Sequence, residues 1–146
     1  MYILKIVTIG FLILEATNVI VLYFFPGSKR ANGVGVFKAW EKSKRDPEMH
    51  RFVTYLVNWV AGTKLIFILL LIVLLATGDE QQLIWMGVSL VLSIASFFWR
   101  LFPLIRHMDR SDEIEPAKYS FVLGWMIFAF IVIFLVAVVI AGVVSL

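Results

Sequence analysis

The chain has 146 residues, 62% of them hydrophobic and 16% charged, with a formal charge of +3 and no cysteine. Its mean hydropathy of +0.97 exceeds what a soluble fold of this size hides in its core, because soluble domains are about 45–50% apolar and about 25% charged. A soluble globular domain is therefore excluded, and without a thiolate so are a disulfide relay, a cysteine nucleophile and a thiolate metal site.

Four apolar stretches stand out at 6–25, 52–77, 83–105 and 119–145, with lengths of 20, 26, 23 and 27 residues. Each reaches the roughly 20 residues that cross a hydrocarbon core about 30 Å thick. The expected fold is all-α: one polytopic transmembrane four-helix bundle over residues 1–146. Glu15 and Asn18 interrupt the first stretch and no A-x-A-type cleavage site follows it, so it reads as a retained span rather than a signal peptide. Pro26-Gly27 closes that span. Within the long loop that follows, Val36, Phe37 and Trp40 share a helical spacing over 34–45. Lys38, Glu41, Lys42, Lys44 and Arg45 mostly avoid that face. The pattern predicts a short amphipathic helix lying on the membrane interface. Phe37 and Trp40 would dip into the headgroups, while Lys38, Lys42, Lys44 and Arg45 face anionic lipid. A solvated basic connector is the alternative.

Asp46 before Pro47 has the pattern of an N-cap followed by proline at the first helical position. The short turn 78–82 makes the second and third helices antiparallel neighbours. Pro103 predicts a kink near the end of the third span. Asp112 and Glu115 have capping-box spacing, with Pro116 in the first turn of the fourth helix. In that last helix, Ala137, Ala141 and Ser145 have small-xxx-small spacing, which suits either internal packing or a homo-oligomer seam.

Basic residues are very unevenly placed. Segment 26–51 holds seven Lys or Arg and 106–118 holds three, whereas the opposite side has only Lys5. The positive-inside rule then puts both basic loops in the cytoplasm and both termini outside, in the plasma membrane of a prokaryote. The expected partners are anionic lipid headgroups on the cytoplasmic side and a second copy or another membrane protein, not nucleic acid.

An ionisable side chain inside hydrocarbon costs at least about 2.5–3.5 kcal/mol. Three such residues, Glu15, Lys64 and Arg100, lie within the spans, joined by the neutral Asn18 and Asn58. Glu15 is ten residues from Phe25, and Lys64 is twelve residues from Phe52. At 1.5 Å per residue both heights are about 15–18 Å, near the midplane, so an ion pair between the first two helices is expected. Thr8, Phe11, Glu15, Asn18 and Leu22 form one polar or small face; Thr54, Asn58 and Ala61 form another, with Lys64 slightly off it. Ser89, Ser93, Ser96 and Arg100 form a third. Serines at this spacing serve either as packing contacts or as the lining of a wet cavity. Arg100 either snorkels and stacks within its aromatic run or places a positive charge at the cavity's cytoplasmic mouth.

His50 and His107 flank helix ends near Glu48 and Asp109, but no ligand spacing specifies a metal site. No HExxH, P-loop, GxGxxG or serine elbow occurs, so neither catalytic residues nor a cofactor are expected. The leading expectation is a small transport or ligand-binding unit built round the Glu15–Lys64 pair. The alternative is a non-catalytic accessory or assembly subunit that binds anionic lipid or a partner membrane protein.

Overall fold

The computed structural model describes residues 1–144. The chain forms α1 (Tyr2–Phe24), a 3-10 turn (Val34–Val36), α2 (Lys38–Ser43) and α3 (Pro47–Thr77), followed by α4 (Glu80–Ala95), α5 (Phe97–Arg110) and α6 (Tyr119–Val144). The fourth and fifth helices run on as one apolar unit, Glu80–Arg110. Among the described residues, four helical units are thus long and apolar enough to cross a membrane.

Two of the helices, α3 and α4, start ahead of their apolar runs because polar caps hold their first turns. Asp46 accepts the backbone N–H groups of Glu48 at 3.0 Å and Met49 at 3.2 Å, so α3 starts at Pro47, ahead of its first apolar residue. Asp79 and Gln82 form a reciprocal capping box, and α4 starts at Glu80 rather than at 83. The box expected from Asp112 and Glu115 does not form, since these carboxylates bind Lys38 and Lys29 instead. The cap of α6 comes from across a loop: Asp109, on α5, accepts the N–H groups of Lys118 and Ser120, both at 3.0 Å. Pro116 consequently stays outside the helix, which begins at Tyr119. The break in the third span falls at Ser96, not beyond Pro103, which sits within α5. There the Ser96 hydroxyl donates to the Ser93 carbonyl at 2.6 Å and competes with the regular helical ladder.

Packing is densest between α4 and α6 and between α1 and α3. The most buried side chains include Leu4 and Thr8 of α1, Leu83 and Leu90 of α4, and Phe134 of α6. Phe11 presents its ring edge-to-face to Phe67, Phe130 and Phe134, with centroids 6.4, 5.8 and 5.5 Å away. Gly87 lets α4 approach its neighbours: a Cβ there would lie 2.5 Å from Val138 Cγ2 and 3.1 Å from Leu4 Cδ1. Ala137 and Ala141 are buried in the same core, so these two pack internally; Ser145 lies outside the described residues. The outside carries large apolar side chains, Trp59, Trp85 and Trp125 among them, a surface that suits hydrocarbon better than water.

The two basic loops are tied together at one end of the bundle. Glu115 N–H donates to Val36 O at 2.8 Å, and Lys38 N–H donates to Glu113 O at 2.9 Å. Ion pairs Lys29–Glu115 (2.8 Å) and Lys38–Asp112 (2.7 Å) reinforce them. Beneath lies a small second core of Val36, Ile105 and Ile114, with half-buried Phe37 packed on it. Gly35 is required there, because a Cβ would stand 1.9 Å from the Gly27 carbonyl oxygen.

This cap corrects the expected lipid-facing role of Trp40, while Phe37 keeps part of its surface exposed. The chain reverses between α2 and α3 over Lys44–Asp46, so α2 turns its apolar side onto protein. Trp40 is only 6% exposed and packs against the His50 ring at 4.8 Å. Of the basic residues expected at the interface, Lys38 is engaged with Asp112 and Lys44 with Glu41 at 2.7 Å. Lys42 and Arg45 are exposed and carry no ion-pair partner among the described residues.

Candidate functional site

Glu15 and Asn18 stand nearly one turn apart on α1, on the side that meets α3. On α3 the buried stripe runs Val57, Ala61, Ile68 and Leu71. Lys64 falls within that register, three residues after Ala61, and reaches back to α1. Its Nζ donates to Glu15 Oε2 at 2.7 Å and to Asn18 Oδ1 at 2.7 Å. The lysine and glutamate side chains keep 31% and 23% of their surface exposed. The ammonium thus has two oxygen acceptors, one charged and one neutral, which offsets part of the desolvation that burial imposes.

With its oxygen committed to Lys64, the Asn18 amide turns its nitrogen outward and donates to Ala31 O at 2.5 Å. The loop after α1 therefore folds back beside the helix. A Cβ on Gly33 would come within 3.1 Å of Val21 Cγ1, which places the loop against the side of α1. Asn18 lies six residues before the end of α1, so the loop backbone reaches about 9 Å along the helix from its end. The irregular backbone is satisfied there by protein, since Asn18 supplies the donor for the Ala31 carbonyl. Ala31 and Asn32 both adopt left-handed conformations, with φ of 50° and 54°. Asparagine accepts that region readily and alanine pays strain for it. Tyr119 closes the chain of contacts by donating its hydroxyl to Asn32 Oδ1 at 2.9 Å.

Two clefts flank this triad. The larger, about 390 Å³, lies between α1, the α4–α5 junction and α6; its polar groups include Glu15, Asn18, Lys29, Asn32, Ser93 and Ser96. The smaller, about 280 Å³, lies towards α3 and is lined by Asn18, Asn32 and Lys64. Glu15 therefore faces one cleft and Lys64 the other, while the two asparagines border both. The larger volume falls within the range of small-ligand pockets, and its mixture of apolar walls with a few polar groups has their usual composition.

Several expected members of the site stand elsewhere. Asn58 is exposed, because Val57, one residue earlier and 100° round the helix, takes the inward position. Ser89, Ser93 and Ser96 are exposed as well, since α4 buries Leu83, Met86, Gly87 and Leu90 instead. Ser93 and Ser96 still border the larger cleft, whereas Ser89 lines a separate groove beside Trp85 and Phe67. Arg100 is exposed with its guanidinium 5.7 Å from the Trp99 ring centroid, and it lines neither cleft at the triad. The cation on the larger cleft is Lys29. His50 is held by the Ser43 hydroxyl at 2.9 Å and by Trp40, and among the described residues no three His, Asp or Glu side chains converge on a metal position.

Helical periodicity could not find Lys29, Ala31, Asn32 or Tyr119, because three of them lie in an irregular loop and the fourth meets them only through the fold. The turn-forming Ala31-Asn32-Gly33 run was the one local signal. No family model, curated protein or solved structure matches the chain. The functional reading therefore rests on the geometry of the triad and its clefts.

Proposed function

We propose that this chain is a small integral membrane protein whose loop-side half holds a polar ligand-binding site, used to bind or transport an amphiphilic ligand. The observation that carries the reading is the ion pair Glu15–Lys64, hydrogen-bonded to Asn18, in the wall between two clefts. A charged pair within apolar helices is costly, and a hydrophobic replacement of similar volume is often as stable. Its presence beside two clefts favours a binding role over simple helix locking. In this reading Glu15, Asn18, Lys64, Ser93 and Ser96 form the site, joined by Lys29 and Asn32; Asn58, Ser89 and Arg100 do not. The four long helices cross the bilayer with the basic loops in the cytoplasm, as the distribution of Lys and Arg supports.

Reconstitution tests this directly. Ligand binding or flux in proteoliposomes should fall in both Glu15→Gln and Lys64→Met. Unchanged binding and flux in both variants would remove the proposal. Topology is open to thiol labelling in cells, because the chain has no cysteine of its own. A cysteine at Lys42 should be labelled by an impermeant thiol reagent only after intact cells are opened.

A second reading is an accessory subunit that docks through the exposed cations Lys42, Arg45 and Arg51, which carry no ion-pair partner among the described residues. Charge reversal at these positions would then release a co-purifying partner or abolish preference for anionic vesicles, leaving Glu15 and Lys64 variants silent.

A further inference from the structure

Resting on the proposed binding site, the hydrogen-bonding capacity of the larger cleft defines the ligand more closely. Glu15 spends Oε2 on Lys64, and its Oε1 has no partner among the described residues. A carboxylate oxygen free in an apolar cleft calls for a hydrogen-bond donor, preferably a charged one. Towards the loops the requirement reverses. Asn32 accepts from Tyr119 with its oxygen, which leaves its NH2 group unpaired among the described residues, and Lys29 contributes an ammonium with donors beyond the one given to Glu115. Donors at the mouth call for an anionic acceptor. Asn18, nearly one helical turn from Glu15, donates to the carbonyl of Ala31, the neighbour of Asn32, which brings the loop's donors to the same cleft as Glu15.

The charges also restrict what enters. Glu15 is balanced by Lys64 and Lys29 by Glu115, so the lining carries no net charge. In a low-dielectric cleft a ligand with net charge would be left uncompensated, whereas a zwitterion oriented along the existing dipole would not. Hydroxyls of Thr17, Ser93, Ser96 and Tyr119 also line the cleft, and the remaining walls, including Phe11, Leu14, Met126 and Phe130, are apolar. Leu14 and Met126 are exposed on the flank of the bundle, which lets a hydrocarbon tail leave sideways.

We propose that this cleft binds the headgroup of a zwitterionic aminophospholipid, with the phosphodiester at Lys29 and Asn32 and the primary ammonium on Glu15 Oε1. Phosphatidylethanolamine has both groups. Phosphatidylcholine has the same charges without an N–H donor, and phosphatidylglycerol has hydroxyl donors but net negative charge.

The test titrates short-chain lipids with identical tails into the detergent-solubilised full chain by calorimetry. The wild type should bind phosphatidylethanolamine about tenfold or more tightly than phosphatidylcholine, the worth of one charge-assisted hydrogen bond. Monomethyl and dimethyl headgroups, which keep fewer N–H donors, should fall between. Because this series alters only the ligand, it does not depend on any variant folding. Glu15→Gln should erase the preference, and Lys29→Met should weaken both lipids alike. Ser93→Trp, which fills the cleft from an exposed position, should abolish binding of both. Equal affinity for the two headgroups with binding still lost in Ser93→Trp would overturn the headgroup assignment while leaving the binding site intact. Tighter binding of phosphatidylglycerol than of phosphatidylethanolamine would overturn the zwitterion argument. Lipid binding indifferent to Ser93→Trp, Glu15→Gln and Lys29→Met would overturn both this inference and the site on which it rests.

Discussion

The pair inside the bundle and the pairs that tie the loops have the same bond lengths and different consequences. Lys64–Glu15, Lys38–Asp112 and Lys29–Glu115 close at 2.7, 2.7 and 2.8 Å. The interior side chains are 31% and 23% exposed, whereas those of Lys29 and Glu115 are 54% and 62% exposed. Water and salt screen the loop pairs, so each is a weak, adjustable clasp. The interior pair has little screening, and either charge alone would be left in an apolar setting. Distance by itself says nothing about which contact the fold depends on; the surroundings decide.

The comparison breaks most clearly on removal of one interior partner. Lys64→Met should lower the stability of the detergent-solubilised protein by about 2–3 kcal/mol, somewhat under the ~3–5 kcal/mol of a fully sealed pair because some exposure persists. Adding Glu15→Leu should restore much of the loss, since the stranded carboxylate is then gone. A double variant no better than the single one would show that the two residues are not a coupled unit.

Next in size is Asp109, which is neither interior nor a clasp. Asp109→Ala removes the acceptor for two backbone N–H groups and the Ser120 hydroxyl at the start of α6, and should cost about 1–2 kcal/mol in thermal unfolding. Asp112→Ala, at the position first expected to cap this helix, should cost less than Asp109→Ala.

The Lys29–Glu115 clasp should give a smaller effect with a characteristic pH dependence. The hydrogen bond and charge of Lys29 hold the Glu115 carboxyl below its ordinary value of 4.5. A carboxylate lowered by folding contributes stability above its ordinary value and loses it as the pH falls through the lowered one. The clasp should therefore be closed at neutral pH and open in acid below the usual carboxylate range. Proteolysis of the loops on acidification should rise in the wild type more than in Glu115→Gln, and high salt should reduce the difference. The smallest change is expected at Asn58: Asn58→Leu on the exposed face of α3 should stay within about 0.5 kcal/mol of the wild type.

Much of this molecule was legible along the chain because hydrophobic runs and turn residues act locally. The apolar stretches located the long helices, Asp46-Pro47 marked the start of α3, and Pro26-Gly27 marked the end of α1. Helix rise alone put Glu15 and Lys64 at similar heights. The facing of individual residues was less legible. Asn58 and the serines of α4 look inward-facing if polar residues are assumed to seek the interior, but these helices bury leucine, alanine and glycine where they touch.

What the sequence determined by itself is therefore the helical architecture and the position of its charges along the helices, since period and length depend only on backbone geometry and on the chemistry of each run. What only the tertiary structure decided is which groups meet: the loop carbonyl of Ala31 on Asn18, Asp109 on α6, Trp40 against His50. These contacts join residues far apart in the chain or turned by loops of irregular backbone. Their geometry depends on how whole helices pack, and no local pattern encodes that.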